Sequence, residues 1–130
     1  MASQTLQSYN GSLLKKTFVY DFSAMGGSTG DTFTSTNTLP VGAVPVKATV
    51  DVIKVPTSAA STATIAITLA GTPGHTIKTA TVITDAFYAT KGKKHVDLST
   101  VITAIETPTF AIAVQNLTAG LIKVIVYYTL

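Results

Sequence analysis

Thr62-Ala63-Thr64-Ile65-Ala66-Ile67-Thr68-Leu69 alternates without a break: Ala63, Ile65, Ile67 and Leu69 fall on one side of an extended chain, Thr62, Thr64, Ala66 and Thr68 on the other. A period of two belongs to a β-strand with one buried face, whereas a helix would repeat its apolar positions every three to four residues. Threonine on the second side fits, because it is β-branched and polar at once. The run is bounded by Pro56-Thr57-Ser58-Ala59-Ala60-Ser61, read as a turn, and by Gly71-Thr72-Pro73-Gly74, where glycine and proline stop extended order.

Upstream, Val46, Ala48, Val50 and Val52 alternate with Lys47, Thr49 and Asp51, and the register slips at Val52-Ile53, which predicts a β-bulge there or burial on both faces. Leu39-Pro40-Val41-Gly42-Ala43 makes a corner before it. Thr32, Thr34, Thr36 and Thr38 share one side of a short polar strand with Phe33 opposite, the pattern of a sheet edge. Phe18, Tyr20 and Phe22 alternate with Thr17, Val19 and Asp21, giving a further half-buried strand, and Met25 to Asp31 is a glycine-rich loop. Residues 1–12 are polar and unpatterned and read as a flexible arm, leaving 13–130 as one domain.

Downstream, Ile77 to Ile83 reads as a strand, followed by Asp85-Ala86-Phe87-Tyr88, and Lys91-Gly92-Lys93-Lys94 as a solvated turn. Between Asp97 and Glu106, Leu98, Val101, Ile102 and Ile105 follow a helical spacing behind an Asp or Ser cap, which predicts one or two helical turns against the strand preference of Val and Ile. Phe110, Ile112 and Val114 alternate again, and Asn116-Leu117-Thr118-Ala119-Gly120 turns the chain into a last strand, Leu121 to Tyr128. Both sides of that strand are largely apolar, so it belongs inside a sandwich or at a subunit contact. Seven to eight short antiparallel strands with little helix make an all-β protein: a single β-sandwich, with a jelly-roll-like order as the expected variant.

Composition agrees and narrows the function. The chain has 130 residues, 24 of them Thr and 9 Ser, and only 12% are charged, about half the usual share. With 46% apolar residues and a mean hydropathy of +0.42, either the core is generous or some apolar surface is covered by other subunits. Cysteine is absent, so no disulfide or thiolate-bound metal holds the fold. The first ten residues carry neither the basic start nor the apolar run of a secretion signal, and the longest strongly apolar run near the end, Val124 to Tyr128, is too short for a membrane helix; no membrane partner is expected. The net charge of +3 comes entirely from lysine, and without guanidinium groups nucleic acid is not expected as a partner either.

Chemistry-bearing residues are sparse. His75 and His95 stand apart with no metal-ligand spacing and read as exposed loop residues. The six carboxylates, Asp21, Asp31, Asp51, Asp85, Asp97 and Glu106, show none of the close spacings of a catalytic pair, and Gly26-Gly27-Ser28-Thr29-Gly30 is neither a nucleophile elbow nor a phosphate cradle. No enzyme activity, cofactor or metal is expected. Lys91, Lys93 and Lys94 form the one local charge cluster, and Tyr9, Tyr88 and Tyr127 are the expected exposed aromatics. The candidate contact residues are Leu121, Ile125 and Tyr127 of the last strand with Leu6 and Tyr9 of the arm.

The run Leu39-Pro40-Val41-Gly42-Ala43-Val44-Pro45-Val46-Lys47-Ala48-Thr49-Val50-Asp51-Val52, with Ser61-Thr62-Ala63-Thr64-Ile65-Ala66-Ile67 after it, resembles small virion proteins of tailed bacteriophages, in which such a corner leads into a valine-aspartate-valine strand. Asn116-Leu117-Thr118-Ala119-Gly120 and then Lys123-Val124-Ile125-Val126-Tyr127-Tyr128 is similar to their closing hairpin. The resemblance covers Leu39 to Gly71 and Thr107 to Leu130 and leaves 72–106 unmatched. It implies a non-enzymatic head decoration or cement protein on the virion head surface, assembled in the host cytoplasm. Its partners would be the major capsid protein and copies of itself, as a homotrimer first and a dimer second. The arm is expected to order on the capsid. The alternative it leaves open is a host-binding module of a head fibre or tail.

Overall fold

The computed structural model describes residues 13–130. The strands are β1 (Leu14–Asp21), β2 (Thr32–Thr34), β3 (Val44–Ser58), β4 (Thr64–Ala70), β5 (His75–Val82), β6 (Gly92–Asp97), β7 (Thr107–Ala113) and β8 (Leu117–Thr129), with one-turn helices α1 (Phe22–Met25) after β1 and α2 (Ala86–Ala89) after β5. They form two antiparallel four-stranded sheets, in the orders β1-β8-β3-β6 and β2-β7-β4-β5. Strand 1 thus pairs with 8, 2 with 7, 3 with 6 and 4 with 5, as though one long antiparallel ribbon had been rolled into two layers. That is the jelly-roll-like order of a β-sandwich.

Alternation decides which side chains fill the space between the layers. From the first sheet come Phe18 and Tyr20 of β1, Ala48, Val50 and Val52 of β3, and Ile122, Val124, Val126 and Tyr128 of β8; Ile65, Ile67 and Leu69 of β4 and Phe110 and Ile112 of β7 meet them from the second. The expected irregularity after Val52 is present, since Val52 pairs with Ile122 but Lys54 with Leu121. Tyr88, expected to be exposed, is fully buried: α2 folds it inward, and its hydroxyl donates to the Ile65 carbonyl at 2.9 Å. Tyr88→Phe removes one buried hydrogen bond, an expected loss of about 1 kcal/mol in urea unfolding.

Several boundaries differ from the sequence reading. The polar strand ends at Thr34, because Ser35 to Leu39 leaves the sheet to close one end of the sandwich. β3 runs on through Ser58, and β8 begins at Leu117, so the last reversal is tighter than the expected Asn116 to Gly120 turn. Gly92 to Lys94 belongs to the edge strand β6 and not to a turn. Asp97 to Glu106 forms no helix. The backbone groups of this segment bond across to Val46, Gly42, Ala43, Thr72 and Leu39, so tertiary partners take the place of the i to i+4 bonds that the spacing suggested.

Candidate functional site

Strand register places the ends of several strands together. Leu14 of β1 lies opposite Tyr128 of β8, Val44 of β3 opposite Thr129, and Lys47 of β3 opposite Asp97 of β6. The second sheet brings its Ala70–Thr107 and Leu69–His75 pairs to the same end. Two crossing segments close it. Leu39 and Glu106 exchange backbone bonds at 2.8 and 3.2 Å, Gly42 N–H donates to the Ile102 carbonyl at 2.8 Å, and Ile102 N–H donates to that of Ala43 at 2.9 Å. Leu39, Ala43, Ile102 and Glu106 are buried beneath this closure, while Val41, Val101 and Ile105 point out of it and are half or more exposed. Leu13 and Leu130, at the chain ends of β1 and β8, and Val46, at the start of β3, are exposed at the same end. Among the described residues, six of the eleven exposed large apolar side chains therefore gather on one end of the molecule. The other five, Val19, Met25, Ile53, Val82 and Val114, are spread over the remaining surface.

That end is built to hold its shape. Thr103 and Ala104 N–H groups donate to the Thr72 carbonyl at 3.0 and 3.1 Å. Gly71 lies so close to the crossing segment that a Cβ there would sit 2.6 Å from the Ile105 carbonyl oxygen. His75, read from sequence as an exposed loop residue, is instead enclosed, its side chain 6% exposed against a fully buried Glu106. Its Nδ1 lies 2.5 Å from Glu106 Oε1, its Nε2 2.5 Å from the Ser99 carbonyl and 3.1 Å from that of Thr100, and Glu106 Oε2 accepts the Gly74 N–H at 2.8 Å. His95 is exposed as expected but lies in β6 and not in a loop, with Nδ1 3.0 Å from Thr49 Oγ1 on the open face of the first sheet.

The candidate residues of the last strand do share a face. Leu121, Ile125 and Tyr127 point away from the core along the outer side of the first sheet, each half-buried. Ile125 is flanked by Thr17 and Thr49, and Tyr127 by Lys15 and Lys47, whose ammonium sits 5.1 Å from the ring centroid. The side of β8 that the sequence leaves apolar is thus partly screened by neighbouring threonines and lysine stems. Leu6 and Tyr9 lie outside the described residues.

Three edge strands carry a lysine opposite a core residue: Lys16 of β1 faces Val126, Lys94 of β6 faces Val50, and Lys78 of β5 faces Ile67. Lys94 reaches the Thr90 carbonyl and Lys78 lies 4.7 Å from the Phe87 ring centroid. Charge on an edge discourages strand addition; β2, the fourth edge, carries none. Between the edges of β1 and β2 runs an open groove of about 340 Å³ lined by Phe18, Tyr20, Phe33 and Phe110, with Asn37 donating to the Thr17 carbonyl across it at 2.7 Å. Burial, with Asp31 and Asp21 nearby, pushes the Tyr20 phenol up to about 12, so it stays a neutral donor to the Gly26 carbonyl.

Four of the six acids serve local structure. Asp21 caps α1, Asp85 caps α2, Asp31 accepts the Ser28 N–H, and Glu106 holds His75. Among the described residues no three of His, Asp and Glu come together as a metal would require. Sequence reasoning missed the His75–Glu106 pair because 31 residues separate them. It also placed Val101 and Ile105 on a helix, although the β-branched content of Val101, Ile102 and Ile105 was a signal against one.

No protein-family model and no curated protein matches the chain. Solved structures do. A chain of the acidic stable capsid structure of Helicobacter pylori bacteriophage KHP30 is similar at a TM-score of 0.66 and 16% identity, over 92% of this chain and 88% of that one. A chain of the cyanophage Pam1 capsid asymmetric unit gives 0.66 and 23% over 91% and 84%, and one of the capsid of Ralstonia phage GP4 gives 0.57 and 17% over 92% and 84%. This sandwich is therefore a fold that chains in three phage capsid structures share over nearly their whole length.

Proposed function

We propose that this protein is a non-enzymatic component of a phage virion, a decoration or cement protein that docks on the assembled head shell and stabilises it. The observation that carries the reading is the rigid end bearing Leu13, Val41, Val46, Val101, Ile105 and Leu130, in a sandwich whose structural neighbours come from phage capsids. Exposed apolar side chains gathered on one pinned surface are what a docking face needs, since nothing has to be ordered on binding. The partner is the major capsid protein. The outer face with Leu121, Ile125 and Tyr127 would meet copies of the same chain in a homotrimer, and residues 1–12, with Leu6 and Tyr9, would add a further contact. A ligand that binds only the assembled shell stabilises it by mass action, and each additional copy adds to the effect.

The test is cosedimentation of purified protein with shells that lack it. The wild type is expected to pellet with the shells, and Val101→Asp/Ile105→Asp to bind at least tenfold more weakly with unchanged circular dichroism, because burying each such side chain is worth roughly 1.5–3 kcal/mol. Wild-type protein that stays in the supernatant would overturn the reading. Gold-labelled protein found on tail tips or fibres of intact particles would favour the host-binding alternative.

A further inference from the structure

The His75–Glu106 pair is more than a buried contact, because both imidazole nitrogens face acceptors. Nδ1 meets a carboxylate oxygen and Nε2 meets the carbonyls of Ser99 and Thr100, so the arrangement is satisfied only when a proton lies on each side of the ring. In that state the pair is electrically neutral overall, as an imidazolium with a carboxylate. Removal of one proton leaves a net negative charge on a fully buried side chain and sets the Nδ1 lone pair against the Glu106 oxygen. Neither can be relieved without movement.

The two ends of this contact belong to different parts of the closure. His75 opens β5 at the turn after β4, Glu106 precedes β7, and Ser99 and Thr100 lie in the 98–106 segment that carries Val101 and Ile105. Among the described residues Glu106 is the charged group acting on the ring. The contacts from the other elements are uncharged: the carbonyls of Ser99 and Thr100 from the segment, the Gly74 N–H from the turn, and Leu69 opposite on β4. Asp97, the nearest acid before Ser99 in sequence, is exposed at the end of β6.

We propose that His75 and Glu106 form a pH-operated latch that pins the 98–106 segment while the ring is protonated and frees it as the pH rises. Burial is the largest single influence on the ring and disfavours its charge. The hydrogen bond to Glu106, the Ser99 carbonyl, the Glu106 charge and the Thr100 carbonyl together outweigh it and move the pKa above the ordinary value of about 6.5. The sign follows from linkage. A raised folded-state pKa gives stability that is complete below about pH 6.5 and is lost as the pH climbs through the raised value. Between those limits, opening that releases one proton becomes up to tenfold easier per pH unit, and outside them it is flat. The latch governs the apolar end, so its bearing on docking rests on the reading above; the switch itself belongs to the isolated domain.

The experiment is hydrogen exchange of the 98–106 peptide in the full chain, without shells, from pH 5.5 to 9 and corrected for intrinsic rates, beside an NMR titration of the His75 ring. The expected result is an opening constant that rises up to tenfold per pH unit in the stated window, a His75 pKa above the ordinary value of about 6.5, and loss of the pH dependence in His75→Gln. Opening that is independent of pH in the wild type, or a His75 pKa at or below about 6.5, would overturn the latch. The titration decides even where His75→Gln fails to fold. Shell binding plays no part in either measurement, so failure of the latch leaves the docking reading standing, and failure of docking leaves the latch.

Discussion

Phe110→Ala is expected to remove about 3–5 kcal/mol of stability, a large share of the roughly 5–15 kcal/mol of a domain this size. Phe110 sits on β7 at the centre of the aromatic cluster, edge-on to Phe18 at a centroid distance of 5.2 Å and tilted against Tyr20 at 5.6 Å, and it is 1% exposed. Truncation loses its transfer free energy and both ring contacts, and leaves a cavity between the layers. The groove between β1 and β2 lies beside this ring and lets the flanking side chains relax, which favours the lower half of the range. Urea unfolding checks the size, with Phe110→Leu as the control for ring loss at nearly constant volume. A loss below about 1 kcal/mol for the alanine variant would mean that the two sheets are not held by this cluster.

Glu106→Ala carries the second large effect. The side chain is fully buried, yet it accepts from His75 and Gly74, and its Cγ is among the atoms closest to Gly71. Its removal strands an imidazolium and a backbone donor in a buried site, with an expected cost of about 3–5 kcal/mol at pH 6. His75 can relieve part of that by giving up its proton, and the wild type itself loses the stabilisation of the pair as the pH rises through the raised pKa of the ring. The gap between variant and wild type is therefore expected to narrow from pH 6 to pH 9 in parallel urea titrations. A gap that stays constant would assign the whole cost to lost packing. Glu106→Gln keeps a carbonyl acceptor without the charge and separates the two contributions.

The alternating stretches were readable as strands because a half-buried strand must place its apolar residues every second position. Thr62 to Leu69, Lys47 to Val52 and Phe18 to Asp21 each did so, and together with the turns they gave the sandwich and its strand number; Phe22, expected to continue its strand, opens α1 instead. The Val52-Ile53 slip was readable for the same reason, since a break in parity is a break in register. Where parity was no guide, spacing misled. Val101, Ile102 and Ile105 fit a helix only on the assumption that the segment satisfies its own backbone groups. In the structure those groups are satisfied by residues 39–46 and by Thr72, and a single chain segment carries no record of such partners. The same holds for Tyr88, which looked like a loop aromatic until α2 turned it onto the Ile65 carbonyl.

By itself the sequence determined the class of the protein: β-branched alternation, scarce charge and missing cysteine suffice for an all-β sandwich without disulfides. Local pattern is set by neighbours a few residues away, and the chain displays those directly. Only the tertiary structure decided where the exposed apolar residues gather and that His75 meets Glu106 across 31 residues. Both depend on which strand ends the rolled ribbon brings together, a long-range property that no short spacing encodes.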